Sequence, residues 1–514
     1  MAYARPGVYI TERLLPPVLQ NGAIADAAGA VVATFPRGPE AITLVSSWYE
    51  FTTYFGGYNA AYPATFEVAS FFNNGGKELY VKRVLPADAA AATATILNGS
   101  SATLATVTAK NAGVDGNKYY ITLTSSTAGA HYVNLYLYKD LGDTNTYSPT
   151  VTGLADDLLV ESYLNVRFDD PTSTDYAPSV INNISPTITV AVSGTGDAAT
   201  TNPYPFTGGS DSISSASVVK ADYLTYKAGS TSVFEGFTPL NRPLVMFLPD
   251  LTTAFSAGDA ESVYTTAASW ASANRSFVVC QTPAANTATN ALSFASGVGA
   301  SAFAAVYYPW LYIADPLGRG VGALRKIGPS GAIAGLYLKT DTSRGVFKAP
   351  AGLQTSLQGV VALETLLSSN DLDSLNTGTQ PVNALRQIPG SGLTVMGART
   401  LLQDGTANRY VNMRRSLNYL ESQLNNITRF ALFENNDEVL WSRIRTTINV
   451  FLSDYRNRGG LRGATNDQAF FILCDSTNNT QTSIANGEVH IQVGVALQYP
   501  AEFVVIDLSQ KTLV

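Results

Sequence analysis

The few titratable side chains of the chain limit the chemistry that it could perform. Catalytic triads and most metal centres need a histidine close to a serine, a cysteine or a carboxylate. The sequence contains only two histidines, His131 and His490. Neither has a cysteine, a second histidine or an acidic cluster at ligand spacing, so each is interpreted as a structural histidine and no metal is expected.

Glycine-rich segments are the other candidates for a chemical site. Gly328-Pro329-Ser330-Gly331 superficially resembles the setting of a serine nucleophile, but it describes a turn or a helix N-terminus equally well. Residues 318–322 lack the spacing of a dinucleotide site and are interpreted as a surface loop. The nucleotide pattern Gly-x-x-x-x-Gly-Lys-Ser/Thr is absent from the sequence. We therefore predict that the protein is not an enzyme and has no catalytic residue, metal or cofactor.

The amino-acid composition favours assembly with other protein subunits. Charged residues make up 14% of the 514 residues, whereas an average soluble protein has about 25%. The cores of protein interfaces are poor in charge and rich in aromatic side chains, which fits the 27 tyrosines and 22 phenylalanines. A hydrophobic monomer is the alternative. The net charge of −7 gives no reason to expect nucleic acid or an anionic membrane as a partner.

The sequence also indicates a cytoplasmic origin. Its first residues contain no basic region followed by an apolar stretch, so no signal peptide is expected. No apolar run reaches the roughly 18 residues that a membrane span requires. Cys280 and Cys474 lie in apolar runs, which favours buried free thiols over a disulfide.

Hydrophobic periodicity predicts a multi-domain α/β protein, α+β overall. Residues 64–73 have a helical pattern between two strand patterns, at 29–35 and 79–84. Further on, apolar runs without polar alternation predict a parallel sheet that is covered on both faces. The strands of this second region are predicted at 243–248, 277–280 and 302–308, and its helices at 258–273 and 288–299.

Changes in composition divide the chain into five predicted parts. Residues 86–232 are rich in small polar residues and short alternating strands, which indicates an inserted, mostly β outer domain. The parts in order are an N-terminal linker arm (1–20), the first part of the core (21–85), the inserted outer domain (86–232), an α/β middle domain (233–345) and a C-terminal domain that ends in an arm strand (346–514).

Two amphipathic helices characterise the C-terminal part. They extend over 413–427 and 440–455, and Asn436 or Asp437 is the N-cap of the second. A strand pattern follows at 489–497. Five arginines near the second helix are the one charged feature above background, and a solvated helix face explains them as well as an acidic protein partner does. They are Arg443, Arg445, Arg456, Arg458 and Arg462.

Short motifs along the chain resemble the contractile-tail sheath proteins of bacteriophages. Each motif alone is weak, but together they follow the family's order over residues 1–85 and 300–514, whereas 86–232 matches nothing in the family. The motifs are Pro6-Gly7-Val8-Tyr9 with Glu12, Asn73-Asn74-Gly75-Gly76 before Leu79, Tyr307-Tyr308-Pro309-Trp310, Asp315-Pro316, Gly328-Pro329-Ser330-Gly331, Asp341, Arg344 to Gly352, Gly397-Ala398-Arg399, Asn412-Met413-Arg414-Arg415, Phe433 to Asp437 with Leu440-Trp441, Phe470-Phe471, Cys474-Asp475 and Pro500-Ala501-Glu502-Phe503.

The resemblance implies a structural role. It implies six subunits per ring, rings stacked helically around a tail tube, a middle region of subtilisin-like topology, and contraction after a signal from the baseplate. The implied partners are further copies of the chain, the tail tube protein, and the baseplate and tail terminator proteins. The implied location is the virion tail, after assembly in the host bacterial cytoplasm. Phe347 stands where many relatives have tryptophan.

Two other functions stay open as alternatives. The chain could form the sheath of a headless, bacteriocin-like particle. A hydrolase-like fold with activity is the least favoured, because two unsuited histidines cannot complete an Asp/His/Ser set.

The two ends of the chain are predicted to link neighbouring subunits. A lone strand leaves its N–H and C=O groups unpaired, which invites pairing with the sheet edge of another chain. The resemblance implies the same exchange, with both arms adding to a neighbour's C-terminal sheet. We assign the five arginines to the surface that faces the tube. The residues assigned to strand exchange are Gly7, Val8, Tyr9, Ile10, Glu12, Phe503, Val504, Val505, Ile506 and Leu508.

Overall fold

The computed structural model describes residues 27–86, 88–140, 157–200, 203–211, 219–225, 231–284, 287–318 and 322–502. The predicted arm strands at 7–12 and 503–508 lie outside these ranges, as do residues 319–321 of the predicted surface loop, so these features stay predictions. Among the described helices, none has both the length and the hydropathy to cross a membrane.

The helices predicted from periodicity are present, with ends that differ by no more than two residues from the predicted ones. Eight helices of the described residues were not predicted, namely α1, α3, α4, α5, α8, α9, α12 and α13. The helices are α1 (Trp48–Phe55), α2 (Ala64–Asn73), α3 (Ala177–Ile184), α4 (Lys220–Leu224), α5 (Leu251–Ala254), α6 (Ala257–Ala273), α7 (Ala288–Val298), α8 (Ser330–Arg344), α9 (Ser369–Thr377), α10 (Val411–Thr428), α11 (Glu438–Asn457), α12 (Asn466–Ala469) and α13 (Gln481–Ala485).

The strands form five sheets within the described residues. They are β1 (Ala28–Ala33), β2 (Thr43–Val45), β3 (Leu79–Arg83), β4 (Thr93–Leu97), β5 (Thr103–Ala109), β6 (Tyr119–Ser125), β7 (Val133–Asp140), β8 (Asp157–Val166), β9 (Ile188–Val192), β10 (Tyr204–Pro205), β11 (Leu244–Phe247), β12 (Phe277–Gln281), β13 (Ala304–Tyr308), β14 (Leu311–Ala314), β15 (Leu324–Ile327), β16 (Val360–Leu363), β17 (Val382–Ile388), β18 (Gly392–Val395), β19 (Phe470–Leu473) and β20 (Gln492–Val495).

An eight-stranded sheet in the order β18-β17-β13-β12-β11-β1-β3-β2 forms the core. The six strands from β17 to β3 are parallel, and β2 and β18 add antiparallel edges. Strands β1, β11, β12 and β13 are buried along their whole length. Alternate side chains face two hydrophobic clusters, one with α6 and α7 and the other with α2 and α8. The predicted parallel sheet with two covered faces is therefore confirmed.

The core sheet combines strands that are distant in sequence. Its members come from residues 28–83, 244–308 and 382–395, which belong to three of the five predicted parts. Parallel neighbours need long crossovers, so such a sheet collects segments from far apart in the chain. The five-part division itself stays a prediction.

The inserted region has its own core. A three-stranded sheet, β4-β5-β9, and a four-stranded sheet, β10-β6-β7-β8, enclose a separate cluster of buried side chains. Arg83, at the end of β3, joins this region to the central sheet. Its buried guanidinium donates to the carbonyls of Phe35 (3.1 Å), Gly38 (3.0 Å) and Ala112 (2.8 Å) and lies 4.0 Å from the carboxylate of Asp211.

The C-terminal region packs two long helices against a small sheet. Helices α10 and α11, strands β19 and β20, and their loops share one hydrophobic cluster. Asp437 is the N-cap of α11, because its carboxylate accepts from the backbone N–H of Leu440 at 2.9 Å. Gly459, with φ of +90°, follows the helix and turns the chain away.

We expect Arg83→Met to reduce the free energy of unfolding by about 3–5 kcal/mol, because the substitution leaves a buried carboxylate and three carbonyls without their cation. Urea denaturation measures the change. Arg344→Met, at an exposed arginine of α8, is the control and should have little effect. Equal losses in the two variants would contradict this role of Arg83.

Candidate assembly surfaces

Ser330 is the first residue of helix α8 and has a structural role. Its hydroxyl donates to the carboxylate of Glu67 at 2.7 Å, and the side-chain amide of Gln281 donates to the same carboxylate at 3.0 Å. Ser330 is 0% exposed and Glu67 is 1% exposed. A substrate cannot reach this serine, and no histidine is among its partners. The turn at 328–331 therefore begins helix α8 and has no catalytic geometry.

The glycines of α8 have a packing role. A Cβ atom on Gly331 would lie 2.2 Å from the carbonyl oxygen of Glu67, and one on Gly335 would lie 2.2 Å from the carbonyl oxygen of Phe71. Helices α2 and α8 can therefore approach this closely only because both positions are glycine. The same motif that resembles a nucleophile turn thus has a structural explanation.

Burial shifts the ionisation of two carboxyl groups under the core sheet. It raises the pKa of Glu67 to about 7 and that of Asp250 to about 6. Hydrogen bonds from Ser330 and Gln281 to Glu67, and from the backbone N–H of Thr34 to Asp250 (2.5 Å), partly oppose the rise. The folded protein therefore holds these protons at a pH where the unfolded chain has released them.

Because these two carboxyl groups hold protons in the folded state that they release in the unfolded state, we expect their contribution to the free energy of unfolding to fall as the pH rises from about 4 to about 7. Glu67→Gln should reduce this slope between about pH 4.5 and 7, by up to a few kcal/mol in total. Denaturant titrations across this range test the prediction. Asp373→Asn, at an exposed carboxyl of α9, is the control and should leave the slope unchanged. An unchanged slope in Glu67→Gln would contradict the prediction.

The fold gives both histidines acidic neighbours that sequence spacing did not reveal. His131 Nδ1 lies 2.7 Å from Asp197 and 3.8 Å from Asp169, and His490 Nε2 lies 3.2 Å from Glu488. The hydrogen bond to Asp197 raises the pKa of His131. Arg167 forms a bidentate pair with Asp169 at 2.8 and 2.6 Å, so a cation already occupies that carboxylate.

The two-stranded sheet of β19 and β20 has open edges. Phe470 pairs with Val495 and Leu473 with Gln492, in antiparallel register. In the part of the chain that the structure describes, each of these strands pairs only with the other. Apart from a bridge between Leu461 and Leu497 just beyond β20, their outer edges therefore offer backbone N–H and C=O groups to further strands. This is the C-terminal sheet to which the sequence assigned the exchanged arms.

The five predicted tube-facing arginines are spread along α11 and the loop after it. Arg443 is exposed and stacks on the ring of Phe430 at 4.6 Å. Arg445 donates to the carbonyl of Cys474, and Arg458 pairs with Asp454 at 2.9 Å. Arg443, Arg458 and Arg462 are exposed, and Arg445 and Arg456 are half-buried. Their orientation towards a tube stays a prediction.

An ion pair connects Glu502, the last described residue, to Arg399. Arg399, after β18, forms a bidentate pair with Glu502 at 2.7 and 2.6 Å and also donates to the carbonyl of Asn376 at 2.8 Å. Both residues stand in motifs of the family resemblance, but the motifs do not indicate that they pair.

A second ion pair, fully buried, connects the core to the C-terminal helices. Arg415 of α10 donates from both terminal nitrogens to Asp341 of α8, once at 2.9 Å, and its guanidinium lies 4.8 Å from the ring of Tyr337. The two side chains are 4% and 1% exposed. Burial raises the pKa of Asp341, and the charge of Arg415 opposes that rise.

Comparisons with known proteins agree with the resemblance. Residues 403–511 match the family model of the phage tail sheath C-terminal domain. The tail sheath protein of Vibrio phage KVP40 is 30% identical over 161 residues, which are 31% of this chain and 23% of that protein. The alignment thus spans less than a quarter of this relative's length.

Solved structures show the same fold over nearly the whole chain. The sheath complex of an extracellular contractile injection system (PVC) in the contracted state is similar with a TM-score of 0.57, at 21% identity over 99% of both chains. A chain of the six-fold symmetrised baseplate of the anti-feeding prophage is similar with a TM-score of 0.55, at 21% identity over 99% of this chain and 100% of that one.

These relatives are sheath proteins, which agrees with the prediction of a structural protein rather than an enzyme. The resemblance inferred from the sequence motifs is therefore confirmed: residues 403–511 match the phage tail sheath C-terminal domain, and part of the chain is similar to a curated phage tail sheath protein.

Proposed function

We propose that this chain is the structural subunit of a contractile phage tail sheath, which polymerises as stacked hexameric rings around a tail tube and shortens to drive the tube through the host envelope. The observation that carries the proposal is the C-terminal sheet with two open edges, in a chain whose fold matches that of a contracted sheath complex. An unpaired edge on each subunit is what a polymer held by exchanged strands requires.

The proposed partners follow from the same reasoning. The subunit binds further copies of itself, the tail tube protein, and the baseplate and tail terminator proteins, and it resides in the virion tail after assembly in the bacterial cytoplasm. The similar chain in a six-fold symmetrised baseplate supports the ring number and the baseplate contact. The sheath of a headless injection particle is the second candidate, because the similar sheath complex belongs to an extracellular contractile injection system.

The proposed contraction draws its energy from packing between subunits. Ser330 is inaccessible, which removes the one serine that suggested a hydrolase. In the extended array the subunits are metastable, and they rotate into a more favourable contact when the baseplate signals. Strand exchange keeps neighbours linked meanwhile, because each backbone hydrogen bond contributes about 0.5–1.5 kcal/mol and each arm makes several.

Deletion of residues 1–16 should leave a folded, soluble body that cannot form tubes, since the segment contains one of the two strands proposed to be exchanged. Negative-stain microscopy and circular dichroism of the truncated and full-length proteins test this. Tubes of normal length and stability from the truncated protein would remove strand exchange by the N-terminal arm from the mechanism.

The arginine surface of α11 should bind the tube through charge, because charge contacts let a sheath hold during assembly and slide during contraction. We expect Arg443→Gln with Arg445→Gln to weaken tube binding about two- to tenfold at low salt, and less at high salt. Co-sedimentation with tubes measures this binding.

Arg344→Gln, at an exposed arginine of α8, is the matched control. Arg443→Gln alone separates the tube contact from the hydrogen bond of Arg445 to Cys474. Unchanged tube binding at low salt would defeat the assignment.

A further inference from the structure

The loop between α10 and α11 presents an aromatic side chain to solvent. Phe433 is fully exposed and adopts φ of +64°, a conformation that is unfavourable for a bulky residue. Its neighbour Leu432 is 70% exposed. A folded chain gains nothing by itself from strained backbone that holds a phenyl ring in water. We call residues 432–435 the Phe433 knob.

A groove lies where the C-terminal region meets the core. It has a volume of about 420 Å³, and its apolar lining includes Phe347, Met396, Ala398, Tyr410 and Pro500. We call it the Tyr410 groove. It is large enough to accept an aromatic side chain.

Two polar side chains of the Tyr410 groove each have a group without a partner among the described residues. Asn412 is 2% exposed, and its side-chain amide donates to the carbonyls of Phe347 (3.0 Å) and Gln498 (3.3 Å). Its carbonyl oxygen has no hydrogen-bond partner among the described residues. The ammonium group of Lys348, which also lines the groove, has no ion-pair partner in the same residues. Because Asn412 Oδ1 is enclosed by its own chain, the ammonium group of Lys348 is the polar group that a docking partner can pair with.

The Phe433 knob carries an apolar ring and an anion, which complement the apolar lining and the cation of the groove. Glu434 is an exposed anion without an ion-pair partner among the described residues, and the side-chain amide of Asn435 makes no hydrogen bond there. The ring of Phe433 matches the apolar lining, and Glu434 matches Lys348. The complementarity is therefore both apolar and ionic.

The two features lie at opposite ends of one helix. Tyr410 and Asn412 are at the start of α10, and the knob follows its end. A helix of 18 residues is about 27 Å long, so the knob cannot reach the groove of its own chain. We propose that the Phe433 knob of one copy docks in the Tyr410 groove of the next. A contact between two different surfaces of the same chain continues head to tail, as an array requires. This proposal deepens the proposed sheath function and rests on it.

Charge reversal gives a test with an internal control. Glu434→Lys alone places a lysine opposite Lys348, and Lys348→Glu alone places a glutamate opposite Glu434, so each variant should assemble about tenfold less than the parent. In a 1:1 mixture, every knob of one variant meets a groove of opposite charge on the other. We expect the mixture, and the variant that carries both changes, to recover tubes in a pelleting assay. Circular dichroism checks that all variants fold.

Crosslinking tests the contact without relying on tubes. Phe433→Cys mixed with Met396→Cys should give a disulfide-linked dimer on a non-reducing gel, whereas Tyr49→Cys, at an 81% exposed position of α1, should not pair with Met396→Cys. Absence of the specific dimer overturns the proposal, as does normal assembly of both charge variants alone or failure of their mixture. If the parent forms no tubes but the dimer forms, the sheath function fails and the contact stands. If residues 503–514 of the same chain fill the groove instead, truncation after Glu502 should increase crosslinking.

Discussion

The buried pair of Asp341 and Arg415 is the constraint on which the architecture depends. It joins helix α8, which packs under the central sheet, to helix α10, which begins the C-terminal region. A charge that is taken out of water is tolerated only with a well-placed partner, so this pair allows one relative placement of the two helices. The stacked ring of Tyr337 and the hydrogen bond from Asn418 of α10 to the carbonyl of Ser276 (3.1 Å) restrict that placement further.

Around this rigid junction, the described residues present unpaired strand edges and an exposed aromatic ring on the surface. The edges of β19 and β20 lack strand partners among the described residues, and Phe433 is fully exposed. Monomeric proteins usually cover such features. Here they concentrate in the C-terminal region. In the proposed sheath function, such contacts between neighbouring subunits would be where the free energy of contraction is stored.

Unlike those surface groups, the polar side chains under the core sheet have hydrogen-bond partners within the chain. Ser330, Glu67 and Gln281 satisfy one another at 2.7–3.1 Å in a site without access to solvent. Their arrangement lies beside the carboxyl ends of parallel strands, where α/β proteins commonly bind ligands. In this chain the side chains fill that place themselves. The glycines of α8 allow helix α2 to approach and close it. A fold often associated with enzymes thus serves as a rigid body.

The sequence by itself determined the elements with strong periodicity, the absence of catalytic sets, the charge-poor composition and the family resemblance. Helices α6, α10 and α11 were predictable because one apolar stripe recurs at helical spacing over many turns. Helix α1 was not, because eight residues of mixed aromatic and polar character leave periodicity ambiguous. The pairs Asp341–Arg415 and Arg399–Glu502, and the neighbours of His131, were decided only by the tertiary structure. Their partners are 74, 103 and 66 residues apart, and the folding of the chain brings them together without leaving any local signal in the sequence.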